Sequence, residues 1–594
     1  MLSEHEALAA KHRHAMGIRA LIDFAAVDGT RTALAFGEPD EILQALSLDE
    51  VESTLRAAQA RADAGAWVVG MVGYEAAPAF DPALRVRGGT ALPLAWFGVF
   101  AQPRDSWDEP DDPAAPPCLH ADVEWPRYAA NIETIHQAIG RGDVYQVNYT
   151  LRMRGAFDAC TRSLYARLRA AQPDGYCAYL DLGRHRIASA SPELFFQRDA
   201  SRLTTRPMKG TRPRGRFAAE DERLAQELGA SSKDRAENLM IVDLLRNDLS
   251  KLAKPNGVQV PQRFVVERHP TVWQMTSTVT AELRDGVGLA DIFRALFPCG
   301  SVTGAPKVMA MQMIAQLETS ARGVYCGTVG LLKPGGDAMF NVAIRTVEVD
   351  TEEGAATCGL GGGVVWDSTA DAEYSEALVK GRFLHRTPRR FGLIETLRLD
   401  ERHAVRLDRH LARLEASARY FGFPVDTARW RETIARALRS APGGLARLRL
   451  QLEAHGELRL EVLDFPSSHA VSPPAFALAT EPVSRDDVFL FHKTSERTTY
   501  ERAAAQSPDT FEVLLYNEQG ELTEFTRGNV VLEIDGRRLT PALDCGLLDG
   551  CLRREWLERG YIEEARLTPH DLQRASHVWF VNSLRGAIEV TLRP

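Results

Sequence analysis

Two pairs of acids stand at helical spacing in distant parts of the chain. Asp234 and Glu237 lie three apart in Ser231-Ser232-Lys233-Asp234-Arg235-Ala236-Glu237-Asn238. Apolar residues at Leu239, Val242, Leu245, Leu249 and Leu252 follow, so the segment reads as an amphipathic helix with both acids on one face near its start. Glu373 and Glu376 repeat the spacing, with Lys380 one turn beyond. Two such pairs could converge on a hard divalent cation, which takes oxygen ligands and keeps waters that a substrate carboxylate can replace. Taken alone, they are also the ordinary pattern of solvated helix faces with an i,i+4 ion pair. A different chemistry is suggested further on. The apolar run Phe489-Leu490-Phe491 ends in His492-Lys493, which predicts one lysine at the end of a buried strand. Asn517-Glu518-Gln519-Gly520 reads as a hairpin turn, and the acid Glu524 follows it, thirty-one residues after Lys493.

Positioning these groups takes more than one folding unit. The 594 residues are enough for about three to five. Composition is that of a globular chain, 45% hydrophobic and 25% charged. A formal charge of −9 argues against binding a nucleic-acid backbone. The longest nearly apolar run, Ala91 to Ala101, falls short of the roughly 18 residues a membrane helix needs. Met1-Leu2-Ser3-Glu4-His5-Glu6 carries acids where a signal peptide has basic residues. Eight cysteines without a Cys-x-x-Cys pair suggest neither zinc nor a disulfide framework. The expectation is a soluble cytoplasmic protein with no nucleic-acid or membrane partner. Two seams divide the chain: Gln102 to Pro117, rich in Pro and Asp, and Arg386-Thr387-Pro388-Arg389-Arg390. They predict regions at 1–118, 119–386 and 387–594, the last opening with a strand at Phe391–Leu399 and a helix at Leu407–Tyr420.

Five motifs in order give the middle region a known likeness. They are Gly142-Asp143-Val144-Tyr145-Gln146-Val147-Asn148-Tyr149-Thr150, Ser189-Ala190-Ser191-Pro192-Glu193, Pro298-Cys299-Gly300-Ser301-Val302-Thr303-Gly304-Ala305-Pro306-Lys307, Phe340-Asn341-Val342-Ala343-Ile344-Arg345-Thr346 and Gly361-Gly362-Gly363-Val364-Val365. Residues of about 120–385 strongly, and the first hundred weakly, resemble the chorismate-utilising enzymes. These include anthranilate, isochorismate and salicylate synthases and aminodeoxychorismate synthase component I. The resemblance implies Mg2+ on Glu237 and Glu376, with Asp234 and Glu373 as supporting acids. It implies Glu193 as the general acid for departure of the chorismate 4-hydroxyl, and His269 beside the ring. Tyr325, Arg345, Gly361, Gly362 and Gly363 match positions that hold the substrate carboxylates, work suited to the planar fork of arginine. Lys209, in Thr205-Arg206-Pro207-Met208-Lys209-Gly210, stands sixteen residues after Glu193. Anthranilate synthases carry alanine there and aminodeoxychorismate synthases a lysine. A desolvated amine loses basicity and becomes a nucleophile.

Residues from about 390 to 594 resemble the fold-type-IV pyridoxal-phosphate enzymes, which include class IV aminotransferases and 4-amino-4-deoxychorismate lyase. The motifs are His492-Lys493-Thr494, Thr523-Glu524 through Gly528-Asn529, Leu539-Thr540-Pro541 and Gly546-Leu547-Leu548-Asp549-Gly550-Cys551-Leu552-Arg553. The likeness implies pyridoxal 5'-phosphate bound through Lys493, with Glu524 on the pyridinium nitrogen. Phosphate contacts would come from Arg413, Ser583 and the backbone N–H groups of Cys551 and Leu552 opening a helix. Leu552 and Asp549 depart from the usual threonine and proline.

Both resemblances imply an α+β chain. A chorismate-binding sandwich of antiparallel sheets and helices would precede a two-subdomain pyridoxal-phosphate domain. Together they imply conversion of chorismate and ammonia to 4-amino-4-deoxychorismate, then loss of pyruvate to give 4-aminobenzoate for folate. No glutaminase triad stands out, so ammonia would come from a separate glutamine amidotransferase subunit. Fold-type-IV enzymes often pair, which makes a homodimer through that domain an expectation. The alternatives are an anthranilate synthase-like enzyme fused to a class IV aminotransferase, which Lys209 disfavours, and a non-catalytic regulatory protein, which the intact site residues disfavour.

Overall fold

The run from Ala91 to Ala101 becomes a fully buried strand, Ala95–Phe100, inside a sheet. In the computed structural model residues 17–27, 29–104, 115–385, 391–465 and 473–593 are described. The seam at Arg386–Arg390, most of the Pro/Asp stretch and the first sixteen residues lie outside them. The chain divides into two units, Met1–Pro213 with Ala225–Pro388, and Arg214–Leu224 with Arg389–Pro594. Among the described residues no helix is long and apolar enough to cross a membrane.

The first unit is built on two antiparallel sheets, of nine and ten strands among the described residues. Strand alternation gives each sheet two apolar faces. Ala20, Ile22 and Phe24 of one sheet meet Val69, Met71 and Trp96 of the other in a shared core. Helices cover the outer faces. Leu48–Asp63, Ser232–Ser250 and Leu289–Leu296 pack on the ten-stranded sheet. Trp125–Gly140, Thr161–Ala171 and Lys307–Leu317 pack on the other. Strands from the first hundred residues, Ala20–Ala25 and Trp67–Val72 among them, pair directly with later strands of the same sheets.

The Ser232–Ser250 helix forms where the acid pair predicts it, with the Ser231 hydroxyl accepting from the Asp234 N–H at its start. Its buried stripe differs from the expected one. Leu239 is 40% exposed, while Asn238 is fully buried and accepts from the Ser277 hydroxyl at 2.6 Å.

The second unit has a four-stranded antiparallel sheet, centred on Leu393–Asp400 and Leu445–Leu452 and covered by helices Leu407–Phe421 and Thr427–Ser440. Two further sheets, carrying Glu512–Tyr516 and Asn529–Ile534, share a separate core. Within this unit Phe217 stacks on Phe491 at 5.4 Å, and the Arg214 guanidinium lies 4.4 Å over the Tyr420 ring. The strand expected to end at Lys493 is not formed. Val488–Leu490 is a short 3₁₀ turn, capped by the Asp487 carboxylate on the Phe489 N–H. The run lacks a period of two, and Phe489 and Phe491 join aromatic clusters instead of a sheet face. The chain is mixed α and β with antiparallel sheets dominant, as the resemblances implied.

Candidate active sites

In the first unit the glycine strand lies between two groups of side chains. Residues Gly361, Gly362 and Gly363 end the strand Ala355–Val364, paired with Thr150, Tyr149 and Asn148. A Cβ on Gly363 would lie 2.0 Å from Gln146 Nε2 and 3.3 Å from Lys209 Nζ. A Cβ on Gly362 would lie 3.1 Å from Glu373 Oε2, 3.4 Å from Lys380 Nζ and 3.8 Å from Glu376 Oε1. One on Gly361 would strike the Tyr149 carbonyl. Only glycine lets the strand approach all of these groups.

Lys209, on the strand Met208–Pro213, is half-buried. Burial pulls its amine below the usual lysine range and Lys380 pulls it further, against Glu193 and Glu237. Glu193 is 3% exposed, and its Oε1 has no hydrogen-bond partner among the described residues. Burial pushes its carboxyl up to about 7, against the Ser301 hydroxyl and Lys209. An acid that keeps its proton near neutrality is therefore paired with an amine that sheds one easily. His269 follows the strand Ala253–Arg268, and burial with Arg345 holds its ring down to about 4, neutral at pH 7. Arg345 takes a left-handed backbone, φ 50°, and donates to the Gln172 side chain at 2.5 Å. Tyr325 packs in the core, with its ring against Gly359 and the Arg152 guanidinium 5.4 Å over it.

The four acids have different surroundings. Asp234 is held by Arg212 at 2.8 Å, and Glu373 accepts from the Ser368 hydroxyl at 2.7 Å. Glu376 pairs with Lys380 at 2.8 Å, and Lys380 also donates to the Gly361 carbonyl at 2.9 Å. Burial raises the Glu237 carboxyl, with Asp234 and Glu376 adding to the effect against Lys209 and Lys233. Among the described residues no group of three or more His, Cys, Asp or Glu side chains is gathered as a metal cage. Magnesium seldom uses one, binding through one or two carboxylates plus water and substrate oxygens. The acids fit that mode.

In the second unit a cavity of about 340 Å³ is lined by Lys493, Glu524, Tyr500, Arg413, Ser583 and Cys551, among others. Lys493 lies in an irregular stretch tied to the first strand, its carbonyl accepting from the Ile394 N–H at 2.9 Å. Burial, then Arg413 and Arg497, lower its amine to about 8. Glu524 is 3% exposed on the strand Leu522–Phe525. It accepts from the Tyr500 hydroxyl at 2.8 Å, the Leu548 N–H at 3.1 Å and Asn529 Nδ2 at 3.4 Å. Burial nonetheless pushes it up to about 7.

The helix Cys551–Glu558 opens at Gly550 without a side-chain cap, leaving its first N–H groups to another acceptor. Arg413 lies on the helix Leu407–Phe421 and grips Glu395 through Nε at 2.8 Å and Nη2 at 2.7 Å. Glu395 also accepts from His410 Nδ1 at 2.6 Å, and His410 Nε2 meets the Ser583 hydroxyl at 2.8 Å. Burial would raise Glu395, but Arg413 and His410 hold it at about 2. Asp549 pairs with Arg553 at 3.1 Å and with Arg554, so it secures the helix start as a proline could not. An amine, a buried acid, an arginine and an open helix N-terminus in one cavity fit a phosphorylated pyridine aldehyde.

Gln146, Ser301 and Arg212 were not singled out by sequence reasoning, although all three lie in or beside the quoted motifs. Tyr500, Glu395 and His410 gave no sequence signal, since only the fold brings them to the cavity.

Residues 104–386 match the chorismate binding enzyme family, and residues 392–592 match amino-transferase class IV. Aminodeoxychorismate synthase component 1 of Salmonella typhimurium (strain LT2) is 42% identical over 259 residues, 43% of this chain and 57% of that protein. Anthranilate synthase component 1 1 of Haloarcula marismortui is 39% identical over 303 residues, 51% of this chain and 62% of that one. The chain thus spans little more than half the length of these curated relatives. The crystal structure of anthranilate synthase component I from Streptococcus pneumoniae TIGR4 is similar at 25% identity, with a TM-score of 0.51, covering 62% of this chain and 92% of that one. The chain carries a chorismate binding enzyme domain at residues 104–386 and an amino-transferase class IV domain at residues 392–592.

Proposed function

We propose that the first unit aminates chorismate to 4-amino-4-deoxychorismate and the second removes pyruvate from it to give 4-aminobenzoate. The observation that carries the first step is Lys209 beside Gly363, with the buried Glu193, its carboxyl pushed up to about 7, close by. The lysine amine adds to C2 of chorismate, the ring double bonds shift, and the 4-hydroxyl leaves as water with the Glu193 proton. Ammonia then adds at C4, and the bond from C2 to Lys209 breaks to release the free amine. The balance is chorismate plus ammonia to product plus water. Glu237 and Glu376 would hold Mg2+, which supplies positive charge for a substrate carboxylate, with Asp234 and Glu373 supporting them. Arg345 and the strand Gly361–Gly363 hold the carboxylates, and neutral His269 stands by the ring.

In the second unit pyridoxal phosphate, when bound, supplies an electron sink. Arg413, Ser583 and the N–H groups of Cys551 and Leu552 would hold its phosphate, and Glu524 would pair with its ring nitrogen. Lys493 takes the proton from C4 of the substrate ring as the C3–O bond breaks; enolpyruvate leaves with that bond's electron pair and is protonated at its methylene carbon, which gives an aromatic amine and pyruvate. Ammonia comes from a separate glutamine amidotransferase.

Purified chain given chorismate, ammonium, magnesium and pyridoxal phosphate should form 4-aminobenzoate and pyruvate in equal amounts. Anthranilate as the product would instead favour an anthranilate synthase-like first unit.

A further inference from the structure

Six arginines line the cavity of the second unit, and two of them face an acid: Arg413 meets Glu395 and Arg527 meets Glu512. Of the other four, Arg497 donates to the Thr526 carbonyl at 2.7 Å and Arg449 is exposed, which leaves two half-buried guanidinium groups. Arg447, on the strand Leu445–Leu452, and Arg585, in the turn after the strand His577–Asn582, have no acid within ion-pair distance among the described residues. The Nε of Arg447 is buried and makes no hydrogen bond among the described residues, and the Arg585 guanidinium lies 5.6 Å over the Phe511 ring. Burial, then Arg527, push Arg585 below the usual arginine range, with Arg447 adding to the effect against Glu512. Cations that repel one another in a half-buried wall cost free energy that a bound anion would remove. The cofactor phosphate would have its donors in Arg413, Ser583 and the open helix N-terminus, so the unmet charge points to a second anion.

Resting on the lyase reading of this unit, we propose that Arg447 and Arg585 bind a carboxylate of the substrate ring and make the cavity selective for carboxylate-bearing rings. The guanidinium fork suits this work, since its paired N–H groups match both oxygens of a carboxylate. The amino-deoxychorismate ring carries such a group, and 4-aminobenzoate keeps it. Selectivity would come from leaving two buried cations unpaired whenever a ring without the carboxylate enters.

The test is calorimetric titration of the full-length, cofactor-loaded protein with 4-aminobenzoate and with aniline, the same ring without the carboxylate. The parent should bind 4-aminobenzoate at least about tenfold more tightly. Arg447→Gln and Arg585→Gln should each shrink that ratio, and the double variant should bring it near one, with the visible absorbance of the cofactor unchanged. Arg585 lies in a half-buried turn, so its variant reads the proposal even if Arg447→Gln fails to fold. A parent that does not discriminate, variants that keep the full ratio, or variants that lose cofactor absorbance would each overturn it. The lyase reading is tested apart, by pyruvate release from 4-amino-4-deoxychorismate. A parent that releases none sinks that reading, while the binding ratio still tests the arginines.

Discussion

The Tyr500 hydroxyl donates to Glu524 Oε1 at 2.8 Å, and both side chains are buried. The acid that would face the cofactor nitrogen is thus oriented by a residue with no sequence signal of its own. A hydrogen bond to a charged group is worth about 1.5–3 kcal/mol, so its loss should weaken cofactor retention by at least about tenfold. Tyr500→Phe keeps the ring under Arg497, 4.7 Å away, and removes only the hydroxyl. Fluorescence titration of cofactor-free protein with pyridoxal phosphate measures the effect. Equal affinity in parent and variant would show that the bond does not position Glu524.

Glu524 also sets a pH dependence. Its carboxyl rises from 4.5 to about 7 in the fold, chiefly through burial. Between those values the folded state holds a proton that the unfolded state has released, so stability is full below about 4.5 and falls as pH rises through 7. For cofactor-free protein this one group contributes up to about 3 kcal/mol of loss between pH 5 and 8. Glu524→Gln should flatten that part of the profile. Thermal melts of both proteins at the two pH values check it, and an identical decline in both would disprove the assignment.

In the first unit, Lys209→Ala should stop amination of chorismate while the fold persists, because a nucleophile is lost and little core volume is. Glu193→Gln should slow it about 10²–10⁴-fold through loss of the acid. Since Glu193 holds its proton only up to about 7, parental amination should decline above that pH. Chromatography of 4-amino-4-deoxychorismate follows all three. Unchanged turnover in Lys209→Ala would exclude the covalent route.

Motif spacing made the acid helices legible, because a helix face is a local property of the chain. The Asp234/Glu237 and Glu373/Glu376 pairs both lie on helices, Ser232–Ser250 and Ala370–Lys380. Which acid is tied down was not legible, since Arg212 and Ser368 reach Asp234 and Glu373 only through the fold. The apolar run before Lys493 misled in secondary structure because Phe489 and Phe491 bury by stacking, which a strand pattern cannot distinguish from sheet packing. The exposed Leu239 misled similarly, its place in the buried stripe taken by Asn238, a polar residue satisfied by Ser277. Glu395, His410 and Ser583 form one chain of hydrogen bonds spanning 188 residues, far beyond any local window.

The acids give a metal prediction. Glu237→Gln and Glu376→Gln each remove a charged oxygen while keeping side-chain volume, so half-saturation by magnesium should rise at least about tenfold. Amination titrated with magnesium chloride measures it. Variants that saturate as the parent does would remove these two residues as ligands.

The last prediction separates the two chemistries. Lys493 is the amine lining its cavity, and its lowered basicity favours reaction with an aldehyde at neutral pH. Lys493→Ala should abolish the visible absorbance of lysine-linked cofactor, although phosphate can still dock at Arg413 and the helix Cys551–Glu558. None of the residues assigned to amination belongs to this unit, so the first reaction should proceed at the parental rate. Given chorismate, ammonium and magnesium, the variant should accumulate 4-amino-4-deoxychorismate and release almost no pyruvate. Adding a separate lyase should then restore 4-aminobenzoate. If the variant alone still makes 4-aminobenzoate at the parental rate, the second unit is not the lyase. Transfer of an amino group to a 2-oxo acid by the parent would then identify it as an aminotransferase.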